Sequence, residues 1–70
     1  MTARRLVYAG TFPEVGRFRV SWSDEFEEYR VQLIDPAGQL LAEYFTDDRA
    51  DAVATADRML ADRAAQVGVA

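Results

Sequence analysis

The chain has 70 residues, of which 50% are hydrophobic and 29% charged, and its formal net charge is −4. This length allows one domain, and the mixed composition is typical of a folded globule rather than a disordered tail. The sequence contains no histidine, cysteine or lysine, so the usual general base, the thiolate nucleophile and the common zinc ligands are missing. We therefore expect no enzyme activity, no cofactor and no metal site.

The sequence also predicts a cytoplasmic location. No apolar run approaches the roughly 20 residues that a membrane-spanning helix needs. The start, Met-Thr-Ala-Arg-Arg, has no apolar stretch behind it and does not match a secretory signal. Without cysteine, nothing in the sequence points to an oxidising compartment.

Four segments have the pattern of β-strands: 5–9, 17–23, 28–34 and 39–45. Between the first two, residues 10–16 carry two glycines and a proline, which predicts a loop. The second and third segments alternate apolar and polar side chains, which indicates strands that bury one face. The side chains that these two strands are expected to place in the core are Phe18, Val20, Trp22, Tyr29, Val31 and Leu33.

The segment Asp35-Pro-Ala-Gly38 predicts a tight turn between antiparallel strands. Aspartate at the first position accepts backbone hydrogen bonds, proline fixes φ at the second, and glycine suits the fourth, as in a type I turn. In the strand that follows, the buried face stays open between two alternating sets of side chains, and a bulge would accommodate both. The two sets are Leu40, Ala42, Tyr44 and Leu41, Glu43, Phe45.

Residues 46–67 have the period of an amphipathic helix. Thr46 is the expected N-cap, and Gly68 follows the helix as a C′ residue. The predicted apolar stripe consists of Val53, Ala56, Leu60, Ala64 and Val67, with Ala50 beside it, and Val53 and Leu60 are expected in the core. The predicted outer face consists of Asp48, Asp51, Thr55, Arg58, Asp62 and Gln66. Together the elements predict an α+β fold, an antiparallel meander of three or four strands with one C-terminal helix packed on one face.

The charged residues are distributed unevenly along the chain. Residues 1–23 contain four arginines and one carboxylate, whereas residues 24–70 contain four arginines and eleven carboxylates. The acidic part has one cluster after the second strand and another at the start of the predicted helix. The first consists of Asp24, Glu25, Glu27 and Glu28, and the second of Asp47, Asp48 and Asp51, with Asp62 further along the outer face of the helix.

Carboxylates on a rigid surface imitate a phosphate backbone, so these clusters suit a basic protein surface that normally holds nucleic acid. For Asp47 and Asp48, stabilisation of the helix start is the stronger interpretation. The first cluster has no evident local role and is the better binding candidate. It lacks the aspartate–glycine–glutamate spacing of an EF-hand, which argues against calcium.

Three arginines are predicted on the sheet face away from the core, because they alternate with core side chains: Arg17, Arg19 and Arg30. Such a row would suit phosphate contacts. Cross-strand pairing with Glu28 and Glu43 is the favoured alternative.

Three aromatic residues have no predicted burial: Tyr8, Phe12 and Phe26. Any of them that is exposed is a candidate anchor of a protein interface.

The stretch Gly16-Arg-Phe-Arg-Val-Ser-Trp22, with Gly38 and the helix-opening pair Phe45-Thr46, resembles the arm-type DNA-binding domain of phage integrases over about residues 16–60. That family inserts its sheet into the major groove and holds the DNA backbone with basic side chains. The resemblance implies this role for the three arginines named above. The chain departs from the family in its lack of lysine, its acidic loop and its acidic helix start, and the negative net charge opposes DNA binding. The resemblance therefore implies the fold rather than the function.

An acidic, compact chain without catalytic groups is similar in type to the small inhibitors of phages and mobile elements, including anti-CRISPR and anti-restriction proteins. The expected function is inhibition by blocking a basic nucleic-acid-binding surface of a host protein complex. Two alternatives stay open, a small DNA-binding module and an oligomeric accessory protein. The uncovered sheet face, with Ile34 and either Leu40 or Leu41, offers an apolar patch for a homodimer.

Overall fold

A computed structural model describes residues 4–68 of the chain. Within these residues, four strands form one antiparallel sheet in the order β1-β2-β3-β4, and a single helix packs on it, as the sequence predicts. The elements are β1 (Arg5–Phe12), β2 (Gly16–Ser23), β3 (Glu28–Ile34), β4 (Leu40–Thr46) and α1 (Arg49–Gln66).

Strand β1 extends beyond its predicted end. The predicted loop 10–16 is shortened to the turn after Phe12, in which Val15 N donates to Phe12 O at 3.0 Å. Within the extension, Gly10 pairs with Phe18 of β2. The local pattern of residues 10–12 favours a loop, but backbone pairing with β2 holds them in an extended strand. This pairing outweighs a weak local preference.

Gly16 begins β2 in a conformation that requires glycine. Its φ of 127° lies in the region that other residues avoid, and a Cβ at this position would collide with the carbonyl oxygen of Ile34. The tight approach of β2 to the end of β3 thus depends on the absence of a side chain here.

The register places the core between the two central strands and the helix. Phe18 lies opposite Leu33, and Val20 lies opposite Val31, so these four side chains share the face that α1 covers. The buried cluster consists of Phe18, Val20, Val31, Leu33, Ala52 and Ala56, and the side chains packed around it are Val7, Tyr29, Ala42, Met59 and Leu60. Because the helix contributes alanines, it lies close to a sheet that supplies the bulk.

The helix begins later than predicted. Asp48 is the N-cap, and its carboxylate accepts hydrogen bonds from Ala50 N at 2.8 Å and Asp51 N at 3.3 Å. Thr46, the predicted N-cap, is the last residue of β4, and its hydroxyl accepts from Asp48 N at 3.2 Å. The prediction was wrong because β4 continues to pair with β3 through Thr46, which keeps the backbone extended there.

The buried stripe of the helix also differs from the prediction. Thr55, expected on the outer face, is only 3% exposed and lies beside the fully buried Ala56. Of the predicted stripe, Val67 is exposed and Val53 is half-buried outside the core cluster, and Ala50 beside the stripe is exposed as well. The fully buried helix residues are small, whereas the larger Met59 and Leu60 pack against the cluster while only partly buried, and Val67 lies beyond the end of the helix.

The turn between β3 and β4 forms where the sequence predicts it. Gly38 N donates to Asp35 O at 2.9 Å, and the Asp35 carboxylate accepts from Gln39 N at 2.8 Å. The bulge in β4 resolves the open question about its face: the register shifts at Leu41, and Ala42 packs against the core cluster.

Candidate functional site

The topology brings both predicted acidic clusters to the same end of the sheet. The β2–β3 turn spans residues 24–27, and β4 ends at Thr46, opposite Tyr29 near the start of β3. Because neighbouring strands are antiparallel, the end of β2, the start of β3 and the end of β4 meet there. We call this region the acidic end, and its carboxylates are Asp24, Glu25, Glu27, Glu28, Asp47, Asp48 and Asp51.

Arginines neutralise part of this charge. Arg4 Nη2 lies 3.3 Å from Glu28 Oε1, and Arg5 Nη2 lies 3.5 Å from Asp24 Oδ1. The Arg4 guanidinium also lies over the ring of Phe45, 5.7 Å from its centroid. Two carboxylates of the first cluster therefore have a local role, contrary to the expectation that the cluster has none.

Trp22 connects the acidic end to the sheet. Its Nε1 donates to Asp24 Oδ1 at 2.6 Å, and its ring centroid lies 4.7 Å from that of Tyr29. Trp22 was predicted in the core but is half-buried, because it lies near the end of β2 beside an open cavity of about 340 Å³. Asp24 directly follows the last residue of β2 and lies two residues after Trp22, so the Trp22-Ser-Asp24 spacing is the sequence signal for this contact.

The β2–β3 turn presents an exposed aromatic ring. Phe26 is 65% exposed, and its backbone N–H donates to the buried hydroxyl of Ser23 at 3.3 Å. Glu27 has a φ of 50°, in the left-handed region. Within residues 4–68, neither Glu25 nor Glu27 makes a side-chain hydrogen bond or an ion pair. The turn is therefore an apolar tip between two solvated carboxylates.

The second acidic cluster mostly stabilises the start of the helix. Asp48 caps it, and Asp51 accepts a hydrogen bond from Tyr44 Oη at 2.7 Å. The hydrogen bond from Tyr44, with a further one from Thr46, lowers the pKa of Asp51, while the bond to Asp51 raises the pKa of Tyr44. Asp47 is exposed and has no such role among the described residues.

The register places the predicted arginine row on the face opposite the helix. Arg17 and Arg19 lie opposite Ile34 and Gln32, outside the core rows. Arg30 Nε lies 3.9 Å from Glu43 Oε2, which also accepts from Gln32 Nε2 at 3.2 Å. Arg30 is thus paired across the strands, whereas Arg17 and Arg19 are exposed and without an ion pair in the part of the chain that the structure describes.

The structure changes the composition of the apolar patch predicted on this outer face. Ile34 is buried, whereas Leu40 and Leu41 are exposed. Ile34 lies close to the turn before β2, where its carbonyl approaches Gly16. On this face the exposed leucine that remains is Leu40, because Leu41 at the bulge lines a cavity with Leu33 and Met59 on the helix side.

Residues 4–68 include no helix with the length and apolar character that a membrane span needs. Within the same residues, no three His, Cys, Asp or Glu side chains are grouped so that they could hold a metal ion.

Comparison with known proteins gives no match. No family model, no curated protein and no solved structure matches this chain.

Proposed function

We propose that this protein is a non-enzymatic inhibitor whose acidic end docks on a basic, nucleic-acid-binding surface of a host protein complex, as anti-CRISPR proteins do. The observation that supports this most strongly is the exposed ring of Phe26 between Glu25 and Glu27 at the tip of the β2–β3 turn. Protein interfaces concentrate their binding energy in aromatic anchors that become desolvated and are surrounded by polar contacts.

The carboxylates have two different roles in this proposal. Glu25, Glu27 and Asp47 are solvated and would face basic side chains of the partner directly. Asp24 and Glu28 already form ion pairs with Arg5 and Arg4 within the chain. Direct contacts of this kind mainly raise the association rate and make it dependent on salt, whereas the aromatic anchor slows dissociation.

A DNA-binding function of the outer sheet face has weaker support. Two exposed arginines, Arg17 and Arg19, are few for a phosphate-binding surface, and Arg30 is shared with Glu43. The acidic end adjoins this face and would repel a duplex. The protein is therefore expected not to shift a labelled DNA duplex at moderate salt.

The test combines capture with competition. Tagged protein is incubated with lysate of a candidate host, and the captured protein is identified, purified and titrated against wild type and variants. We expect the captured protein to bind nucleic acid, and we expect added nucleic acid to displace it from the tagged protein. Phe26→Ala should weaken binding at least tenfold, mainly through faster dissociation.

Charge reversal provides the matched control. Glu25→Lys changes the acidic end, and Asp62→Lys makes the same change at an exposed helix position. Glu25→Lys should slow association and reduce its salt dependence, while Asp62→Lys should leave both nearly unchanged. Equal effects of the two variants, or duplex binding by the wild type that Glu25→Lys strengthens, would contradict the proposal.

A further inference from the structure

Strand β1 is an edge strand whose protective features lie near its start, where Arg5 carries a charge and the register with β2 shifts between Leu6 and Tyr8. No strand in the described chain pairs with its outer edge. Residues 6–13 carry no charge, although 29% of the chain is charged. Edge strands commonly carry a charged side chain that prevents pairing with another chain. The opposite edge, β4, carries Glu43 in the middle of the strand, whereas β1 has no charge between Leu6 and Phe12.

The helix-facing side of β1 is also partly uncovered. The helix packs against β2, β3 and β4. Tyr8 and Phe12 of β1 remain 38% and 44% exposed, although both rings contact Phe18, with centroids at 5.0 and 6.5 Å. These two rings extend the buried cluster to the edge of the sheet, where each ring is partly exposed to solvent.

The flank of the helix next to β1 continues this apolar surface. An open groove of about 610 Å³ runs along α1, and Tyr8 Oη reaches toward it with a 3.4 Å hydrogen bond to Asp57. The residues that line the groove are Arg49, Ala50, Val53, Ala54 and Asp57. Strand edge, aromatic pair and helix flank therefore form one continuous surface.

We propose that this surface binds a second copy of the chain, through antiparallel pairing of the two β1 strands across a twofold axis. The result is an eight-stranded sheet with both helices on the same side. Pairing centred on Gly10 places Tyr8 of each copy opposite Phe12 of the other, and aromatic pairs of this kind stabilise antiparallel strands. Because Gly10 has no side chain, the ring of Phe18 lies directly against it, between the two aromatic side chains.

Charge favours a second copy in this orientation. Antiparallel pairing places the two acidic ends apart by about the length of β1, roughly 27 Å, which is well beyond the screening length of about 8 Å at physiological salt. It also brings Glu14, the only carboxylate in residues 1–23, to the side of Arg5 in the other copy. The corresponding pairing of two β4 strands would instead place Glu43 near Glu43. This inference does not depend on the proposed function.

The first test measures the oligomeric state of the full chain by sedimentation equilibrium from low to high micromolar concentration. The wild type should form a dimer. The double variant Ala9→Lys/Thr11→Lys puts positive charges at two exposed positions of β1 that lie opposite each other in the dimer. We expect it to raise the dissociation constant at least tenfold while its circular dichroism stays that of the wild type.

The control double variant, Leu40→Lys/Leu41→Lys, alters the exposed leucines of β4 and should leave the dimer intact. A wild type that stays monomeric at high micromolar concentration would overturn the proposal. So would a dimer that the β4 variant dissociates and the β1 variant does not.

A distance measurement keeps the proposal falsifiable if a lysine variant fails to fold. The chain has no cysteine, so a single introduced cysteine carries a single spin label. Labels at Ala9→Cys should lie within about 20 Å of each other in the dimer, whereas labels at Leu41→Cys are separated by seven strand spacings, roughly 34 Å. The reverse order of the two distances would place the interface at β4 and refute pairing through β1.

Discussion

The contact between helix and sheet depends on small side chains, and replacing one of them by leucine tests this directly. Ala56 is fully buried in the cluster with Phe18, Val20 and Val31. Ala56→Leu adds a branched side chain where the interior has no free volume, so the helix must move away or neighbouring rotamers must be strained. Such overpacking costs about 1–3 kcal/mol.

This cost is large for a domain of this size. At about 0.05–0.15 kcal/mol per residue, the whole free energy of unfolding is on the order of 4–10 kcal/mol. A loss of about 2 kcal/mol should lower the Tm by roughly 8–16 °C. Thermal and urea unfolding followed by circular dichroism would measure both quantities.

Ala61→Leu is the matched control, because it makes the same substitution at an exposed position of the same helix. Leucine and alanine are both good helix formers, so this variant should keep the wild-type stability within about 0.5 kcal/mol. Equal stability of the two leucine variants would refute the packing of the helix through its alanine stripe.

Three further predictions concern the turns and the start of the helix. Asp48→Ala should cost about 1 kcal/mol in urea unfolding because it removes the N-cap, whereas Thr46→Ala should cost clearly less; the opposite ranking would return the cap to Thr46. Gly16→Ala should destabilise the protein strongly, since the added Cβ meets a backbone carbonyl, and an unchanged Tm would contradict that approach. Because the pKa of Asp51 is lowered below its ordinary value of 3.8, its contribution to stability is present above that pH and is lost as the pH falls through the lower, folded-state value. Tyr44→Phe should make the unfolding free energy less dependent on pH in this acid range, and an unchanged pH profile would show that the hydrogen bond contributes nothing.

The sequence alone determined the elements and their type. The alternation over 28–34 matches β3 residue for residue, because a strand that buries one face needs a period of two whatever its neighbours are. The turn at Asp35–Gly38 likewise follows from the local chemistry of aspartate, proline and glycine. A helical period in the last third completed the α+β prediction.

The tertiary structure decided where elements end and which side of the helix is buried. Pairing with β2 extends β1 through Gly10 to Phe12, and pairing with β3 moves the N-cap from Thr46 to Asp48. Thr55 is buried because a sheet filled with aromatic and branched side chains accepts small helix residues. None of these outcomes is encoded in the local pattern, since each depends on a partner distant in the sequence.

The candidate site was likewise determined partly by the sequence and partly by the tertiary structure. The residue types of both acidic clusters can be read from the sequence, but their meeting at one end of the sheet depends on strand order and direction. The engagement of Asp24 and Glu28 by arginines, and the exposure of Phe26 at the tip of the turn, depend on side-chain contacts across that end. Composition thus determined which charges the protein carries, whereas the packing of strands against one another decided which of them remain free to contact a partner.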